Sequence, residues 1–179
     1  MAVLELSGGK AIHDFDLIST EIGSLGVLLI PLQVNKSEAL KKLLEKESLN
    51  EAEKLEALQL YDLELTELQS SKAYASRDLL VLNSDEQTKS HLKKFGQYHI
   101  HNGNEGRYVV DGECIFQFPI GADRSLTLTV QRDEFIEIPA NTEHCLSLSD
   151  LQRAKIIRFF GKEGELLTQY TRANTLVSS

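Results

Sequence analysis

Several features that would place the sequence in a broad class are missing from it. Tryptophan is absent, and the chain holds only three prolines and two cysteines. The cysteines, Cys114 and Cys145, form no Cys-x-x-Cys pair and offer no disulfide framework. We therefore expect two small buried thiols in a reducing cytoplasm rather than a reactive pair.

A net positive charge and long apolar runs are also absent. The formal net charge is −8, and no run of lysine and arginine forms a basic stripe, so we expect no binding to nucleic acid. The longest apolar run, Leu25–Leu32, is too short to span a bilayer, and no signal segment opens the chain. These absences predict a cytoplasmic protein without a membrane partner. No long apolar surface stripe demands a second copy, so we expect a monomer.

The first half of the chain contains a strongly helical segment. Residues 35–72 are rich in leucine, glutamate, lysine and alanine and contain neither glycine nor proline. Capping patterns at Asn35–Glu38 and Ser48–Glu51 predict two helices. We expect this pair to pack against the rest of the protein, and binding to a partner is the alternative.

Around these helices the pattern predicts shorter elements. Residues 1–24 are expected to be loop with at most one short strand. Residues 27–30 and 78–83 are predicted strands, and residues 87–95 are predicted to form a short basic helix or a turn.

From residue 98 the hydrophobic period changes to two. Leu126, Leu128 and Val130 alternate with polar residues, which is typical of strands with one buried face. The predicted strands are 98–101, 105–110, 113–118, 125–131, 135–138, 144–148 and 154–160. Short strands separated by turns predict a sandwich or small barrel, and the chain as a whole is α+β, mainly β. We predict a single domain, 1–179, with a helical part and flanking strands at 25–95 and the barrel core at 96–172.

One stretch of this β region carries a metal-binding pattern. His99 and His101 share a face of their strand, because side chains two residues apart point the same way. Residues 102–104, Asn-Gly-Asn, favour a turn that brings Glu105 back to the same point. Two imidazole nitrogens and a carboxylate suit Fe(II), Ni(II), Mn(II) or Zn(II). The alternative is a chance cluster of surface residues in a turn.

His144 is the candidate for a fourth ligand. Pro139 ends a predicted strand, and Asn141 can take the left-handed conformation of a tight turn before His144 opens the next strand. In a small barrel, strands far apart in sequence share the interior. An octahedral metal held by three histidines and one glutamate keeps two positions open, which suits a chelating substrate.

These residues resemble the two motifs of the cupin superfamily. The matching patterns are His99-x-His101-x-x-x-Glu105 with Gly112, and Pro139-x-Asn141-x-x-His144, with Asp133 and Asn141 at positions where the motifs usually have glycine. Within the cupins, the sequence is similar to the acireductone dioxygenases. That similarity is carried by Phe95, Glu105-x-Arg107-Tyr108, the strand Ile157–Phe160 and Gln169–Arg172.

The resemblance implies a cupin-type antiparallel barrel, jelly-roll-like, with the helices outside, and a specific reaction. This family cleaves 1,2-dihydroxy-3-keto-5-methylthiopentene with O2 in methionine salvage. With Fe(II) the products are formate and 2-keto-4-methylthiobutyrate, and with Ni(II) they are carbon monoxide, formate and methylthiopropionate. The implied cofactor is one divalent transition metal per chain, Fe(II) or Ni(II). Carried over by position, its ligands are His99, His101, Glu105 and His144.

Two arginines are implied to line the same cavity. Arg107 follows Glu105 by two residues on its strand, so its guanidinium can neutralise an anionic enediolate. Its alternative role is a structural ion pair with Glu105 or another carboxylate. Arg158 lies in the late Ile-Arg-Phe strand. Both are the candidate catalytic residues.

The substrate pocket departs from the family pattern. Phe95 is retained, but Leu146 stands where a bulky aromatic is usual, and Leu166 stands where a tryptophan is usual. These positions shape the pocket around the substrate tail. Two alternatives therefore stay open: a cupin dioxygenase or isomerase acting on another small chelating enediol or ketone, and a non-catalytic metabolite-binding cupin.

Overall fold

Eleven strands and five helices make up the protein in this computed structural model, which describes residues 1–83, 85–121, 124–162, 164 and 166–171. The strands are β1 Val3–Leu6, β2 Lys10–Ile12, β3 Leu28–Pro31, β4 Ser76–Leu82, β5 His99–His101, β6 Glu105–Pro119, β7 Ser125–Gln131, β8 Glu134–Ile138, β9 Cys145–Leu148, β10 Ala154–Phe160 and β11 Thr168–Tyr170. The helices are α1 Phe15–Gly23, α2 Glu38–Glu45, α3 Glu51–Leu60, α4 Asp62–Ser71 and α5 Glu86–Phe95.

Strand β6 is the centre of the sheet. Its first half pairs with β8 on one side and β10 on the other, and its second half pairs with β7 and β9. All of these pairings are antiparallel, and they curl one nine-stranded sheet around a common interior. The predicted class, mainly β with an antiparallel barrel-like sheet and helices outside it, is confirmed.

Glycine at position 112 explains why two predicted strands are one. The strands expected at 105–110 and 113–118 continue through Gly112, where φ is +71°. The register with β10 shifts just before this point, between Val109 and Asp111. A Cβ here would lie 2.3 Å from the carbonyl oxygen of Arg153. The bend therefore requires glycine on both steric and conformational grounds.

The helical segment forms three helices rather than two. Tyr61 ends α3 and begins α4, so the second of the two predicted helices is broken there. The N-caps are Ser37 and Asn50, each two residues after the start of its predicted capping pattern. The helices pack on the outer face of the sheet through Tyr108, Phe159 and other apolar side chains.

The expectation for residues 1–24 is wrong. They form β1, β2 and helix α1, which is capped by the side chain of Asp14. β1 pairs with β7, and Leu4 is fully buried in the barrel core. Local alternation is weak here because the segment is held by a long-range pairing. None of the helices in the described part of the chain is long and apolar enough to cross a membrane.

Candidate metal centre

Backbone pairing brings the two histidine motifs together. The N–H of His99 donates to the carbonyl of His144 over 2.9 Å, and the N–H of His144 donates back to His99 over 3.0 Å. Asn141, at φ +64°, donates its N–H to the carbonyl of His101. The left-handed turn predicted at Asn141 is therefore present, and it seats His144 opposite His99.

Four polar side chains converge in the barrel interior. One ligand atom from each of His99, His101, Glu105 and His144 lies within 4.8 Å of all the others, and all four side chains are buried. The ring centroid of His99 lies 4.8 Å from that of His101 and 4.5 Å from that of His144. Such a buried group can hold one metal ion.

Each imidazole is held by its Nδ1 atom. The nearest acceptors are the carbonyls of Gln97, 2.7 Å from His99, and Thr142, 2.9 Å from His144. A carbonyl only accepts, so these two Nδ1 atoms carry the protons and the Nε2 lone pairs are left for a ligand. The Nδ1 of His101 lies 3.3 Å from the hydroxyl of Thr168. Metal-binding histidines are oriented in this way.

The Glu105 carboxylate divides its two oxygens between different partners. Oε2 lies 2.7 Å from Nε2 of His144 and 3.3 Å from Nε2 of His101, whereas Oε1 accepts from Nη2 of Arg107 over 2.5 Å. With the Nδ1 proton on His144, a neutral ring points a lone pair at Oε2, which is repulsive unless a cation lies between them. The donor set therefore fits a divalent transition metal.

The charge states also suit a metal site. Burial lowers the pKa of His99 to about 4, so the ring is neutral near pH 7. Burial alone would raise the pKa of Glu105, but the charge of the Arg107 guanidinium helps to hold that pKa well below its usual range. Neutral imidazoles and an ionised carboxylate are the forms that bind metals.

All nine candidate site residues line one cavity of about 430 Å³. They are Phe95, His99, His101, Glu105, Arg107, His144, Leu146, Arg158 and Leu166. Arg107 forms the ion pair that was its alternative role: its guanidinium pairs with Glu105 and also donates to the carbonyl of Gly106. Arg158 donates through Nε to Asp78 over 2.8 Å, and its Nη2 bonds the second oxygen of that carboxylate.

Sequence reasoning missed six further lining residues: Leu80, Lys94, Ile156, Phe160, Thr168 and Tyr170. Leu80, Ile156 and Phe160 follow from alternation once Arg158 is placed inside, since they share its face. Thr168 and Tyr170 lie on β11, which pairs with the histidine strand β5. No local sequence pattern predicts the pairing of β11 with β5. Arg172, part of the quoted C-terminal motif, lies outside the described residues.

The comparison with known families decides the assignment. Residues 29–166 match the ARD/ARD' family. The chain belongs to that family. This membership confirms the resemblance seen in the sequence.

Individual relatives of this family member cover nearly its whole length. An acireductone dioxygenase from Trichodesmium erythraeum is 37% identical over 172 residues, or 96% of this chain and 95% of that protein. One from Microcystis aeruginosa is 34% identical over 172 residues, or 96% of this chain and 93% of that protein. The solved structure of an acireductone dioxygenase from Bacillus anthracis, with a cadmium ion in its active centre, aligns with a TM-score of 0.77 at 24% identity, covering 93% of this chain and 98% of that one. The structural match shows the shared cupin-type fold.

Proposed function

We propose that this chain is a metal-dependent acireductone dioxygenase of methionine salvage. The observation that carries the proposal is the buried group of three histidines and one glutamate at the wall of a 430 Å³ cavity, in a member of the ARD/ARD' family. The substrate is an enediol, and O2 is the oxidant. With Fe(II), acireductone plus O2 becomes formate plus 2-keto-4-methylthiobutyrate, and the two oxygen atoms that the products gain come from O2.

His99, His101, Glu105 and His144 would hold one divalent ion, Fe(II) or Ni(II). When bound, that ion supplies a Lewis acid with open positions for a chelating oxygen ligand. The carbonyls of Gln97 and Thr142 keep two imidazoles in the ligating tautomer. Both metals suit mixed nitrogen and oxygen ligands, so the ion loaded in the cell follows from metal availability as well as affinity.

The protein's own charges favour an anionic substrate. Three neutral imidazoles, one carboxylate and a divalent ion sum to about +1, which attracts a deprotonated enediol. The guanidinium groups of Arg107 and Arg158 add positive charge to the same cavity wall. Arg107 has two roles here: it fixes one oxygen of Glu105, and its charge faces the place where the enediolate binds.

The apolar part of the wall would receive the substrate tail. Phe95, Leu146 and Leu166 contribute apolar surface to the cavity. Their burial of the tail would exclude water from the electron-rich enediolate, which limits side reactions. Thr168 would support the site from the strand that pairs with the histidines.

Metal loading combined with product analysis tests the proposal. Metal-free protein is reloaded anaerobically with Fe(II) or Ni(II), and O2 uptake and products are measured with the acireductone. We expect one metal per chain, rapid O2 uptake, and formate with the 2-keto acid for Fe(II). H144A should lose metal and turnover, whereas the control H13A, an exposed histidine outside the cluster, should keep both. Metal-loaded wild type that consumes no O2 would overturn the proposal and favour a metabolite-binding cupin.

A second candidate substrate class is favoured by the pocket itself. Leu146 and Leu166 stand where the family pattern has larger aromatic side chains, so the space for the tail differs. Acireductones with longer or branched tails should be compared by kcat/KM. A tenfold preference for a tail other than methylthioethyl would assign the enzyme to a different enediol, with the ligand set unchanged.

A further inference from the structure

Three charged residues lie side by side across the sheet at the cavity wall. In the strand register, Asp78 on β4 is directly opposite Arg158 on β10, and Arg158 is directly opposite Arg107 on β6. Directly opposed residues have Cβ atoms about 4.5–5.5 Å apart, so Arg158 lies within reach of both Asp78 and Arg107. β4 is the edge strand, and Asp78 closes the row.

The carboxylate of Asp78 holds Arg158 in one orientation. Nε of Arg158 donates to Oδ1 over 2.8 Å and Nη2 donates to Oδ2, which is a two-point contact along one edge of the guanidinium. Cζ of Arg158 also lies 5.3 Å from the ring centroid of Phe160. With that edge used and the ring beside it, the Nη1 group is left for another acceptor.

Two adjacent guanidinium groups repel each other unless each has a counter-ion. Here Glu105 pairs with Arg107, and Asp78 pairs with Arg158. Arg158 lines both the metal cavity and a neighbouring cavity of about 350 Å³, and Asp78 lines only the neighbouring one. The Asp78 carboxylate therefore holds one edge of the Arg158 guanidinium toward the neighbouring cavity rather than toward Glu105.

We propose that Asp78 is a positioning residue: it directs Arg158 so that an anionic substrate oxygen binds between Arg158 and Arg107, and it keeps Arg158 off Glu105. The inference rests on the proposed function for the identity of the anion. Asp78 acts only through Arg158.

The direction in which D78N changes the affinity for an anion distinguishes a positioning role of Asp78 from a simple effect of its charge. The probe is oxalate, a chelating dianion, titrated by calorimetry into metal-loaded protein. Removing a negative charge near the cavity would by itself tighten binding of an anion. Loss of positioning instead weakens it, and we expect D78N to bind oxalate about five- to tenfold more weakly than wild type. Equal or tighter binding by D78N would overturn the inference.

The chain offers a matched control on the neighbouring residue. Arg77 on β4 forms a similar pair with Asp62 and also donates to Gln69, both on the helical side of the sheet and outside the metal cavity. D62N removes a comparable ion pair and should bind oxalate like wild type. If D62N weakens oxalate binding as much as D78N does, the effect comes from general destabilisation and the inference fails.

A double variant tests whether Asp78 works through Arg158. R158K keeps a charge but loses the two-point contact, so it should weaken oxalate binding, and D78N/R158K should be no weaker than R158K alone. Additive losses would contradict the inference.

The proposed function is tested separately. If wild type fails to consume O2 with acireductone while D78N still weakens oxalate binding, the proposed function is wrong and the positioning role is supported. If wild type turns over and D78N matches D62N in both oxalate binding and kcat/KM, only the positioning role falls.

Discussion

Arg107 is the side chain whose replacement most directly tests the site. It is 9% exposed, and its Nη2 donates to Oε1 of Glu105 over 2.5 Å. The carboxylate thus has one oxygen fixed by Arg107 and the other turned toward His144. We predict that R107A damages both the orientation of Glu105 and the charge that the substrate meets.

The magnitude follows from the contact that is lost. A hydrogen bond between charged groups contributes about 1.5–3 kcal/mol, and each ~1.4 kcal/mol is tenfold in rate or affinity. R107A should therefore lower kcat/KM about ten- to a hundredfold at saturating metal. Removing one partner of a buried pair costs about 3–5 kcal/mol when the other charge is left alone, so the metal-free variant should lose more stability than the loaded one. Burial lowers the pKa of Arg107, and Glu105 opposes that shift, which indicates mutual dependence.

The assay is O2 consumption by metal-loaded protein, with metal content and thermal unfolding measured on the same samples. R107K should recover only part of the loss, because a point charge cannot reproduce the planar guanidinium. R132A, which removes an exposed guanidinium, is the control and should match wild type. Full kcat/KM in R107A at saturating metal would refute the reasoning. Loss of metal affinity with normal turnover at high metal would leave Arg107 only the role of holding Glu105.

Three further predictions follow from the geometry. E105Q should lower metal affinity more than tenfold, because the amide loses both the negative charge and the ion pair with Arg107. Metal titration of the folded variant checks this, and an unchanged metal affinity would contradict it. L166W should restrict the tail end of the cavity and raise KM for long-tailed acireductones more than for short-tailed ones, and an equal change for both would place Leu166 away from the tail. G106A should destabilise the protein by about 1–3 kcal/mol, since a Cβ would lie 2.7 Å from the Tyr74 hydroxyl. In denaturant unfolding, G106A should cost less stability when added to Y74A than when added to wild type, and an equal cost in both backgrounds would assign the effect elsewhere.

Much of the candidate site follows from local sequence alone. The strand period of two places His99 and His101 on one face, and turn residues after them return Glu105 to the same point. The left-handed turn at Asn141 follows from its side chain and its place after Pro139. These are short-range effects, in which each residue's conformation depends mainly on its neighbours in the chain. The single-domain organisation, the monomeric state and the cytoplasmic location stay predictions.

The pairings between distant segments were decided only by the tertiary structure. Asp78 pairs with Arg158, and β11 pairs with the histidine strand. Both contacts join residues far apart in the sequence and depend on how the sheet closes. The expectation of loop with at most one short strand in residues 1–24 failed for the same reason, since β1 is held by β7 more than a hundred residues away. No local sequence signal selects Arg158 as the partner of Asp78, because sheet register, burial and competing charges together decide the pairing.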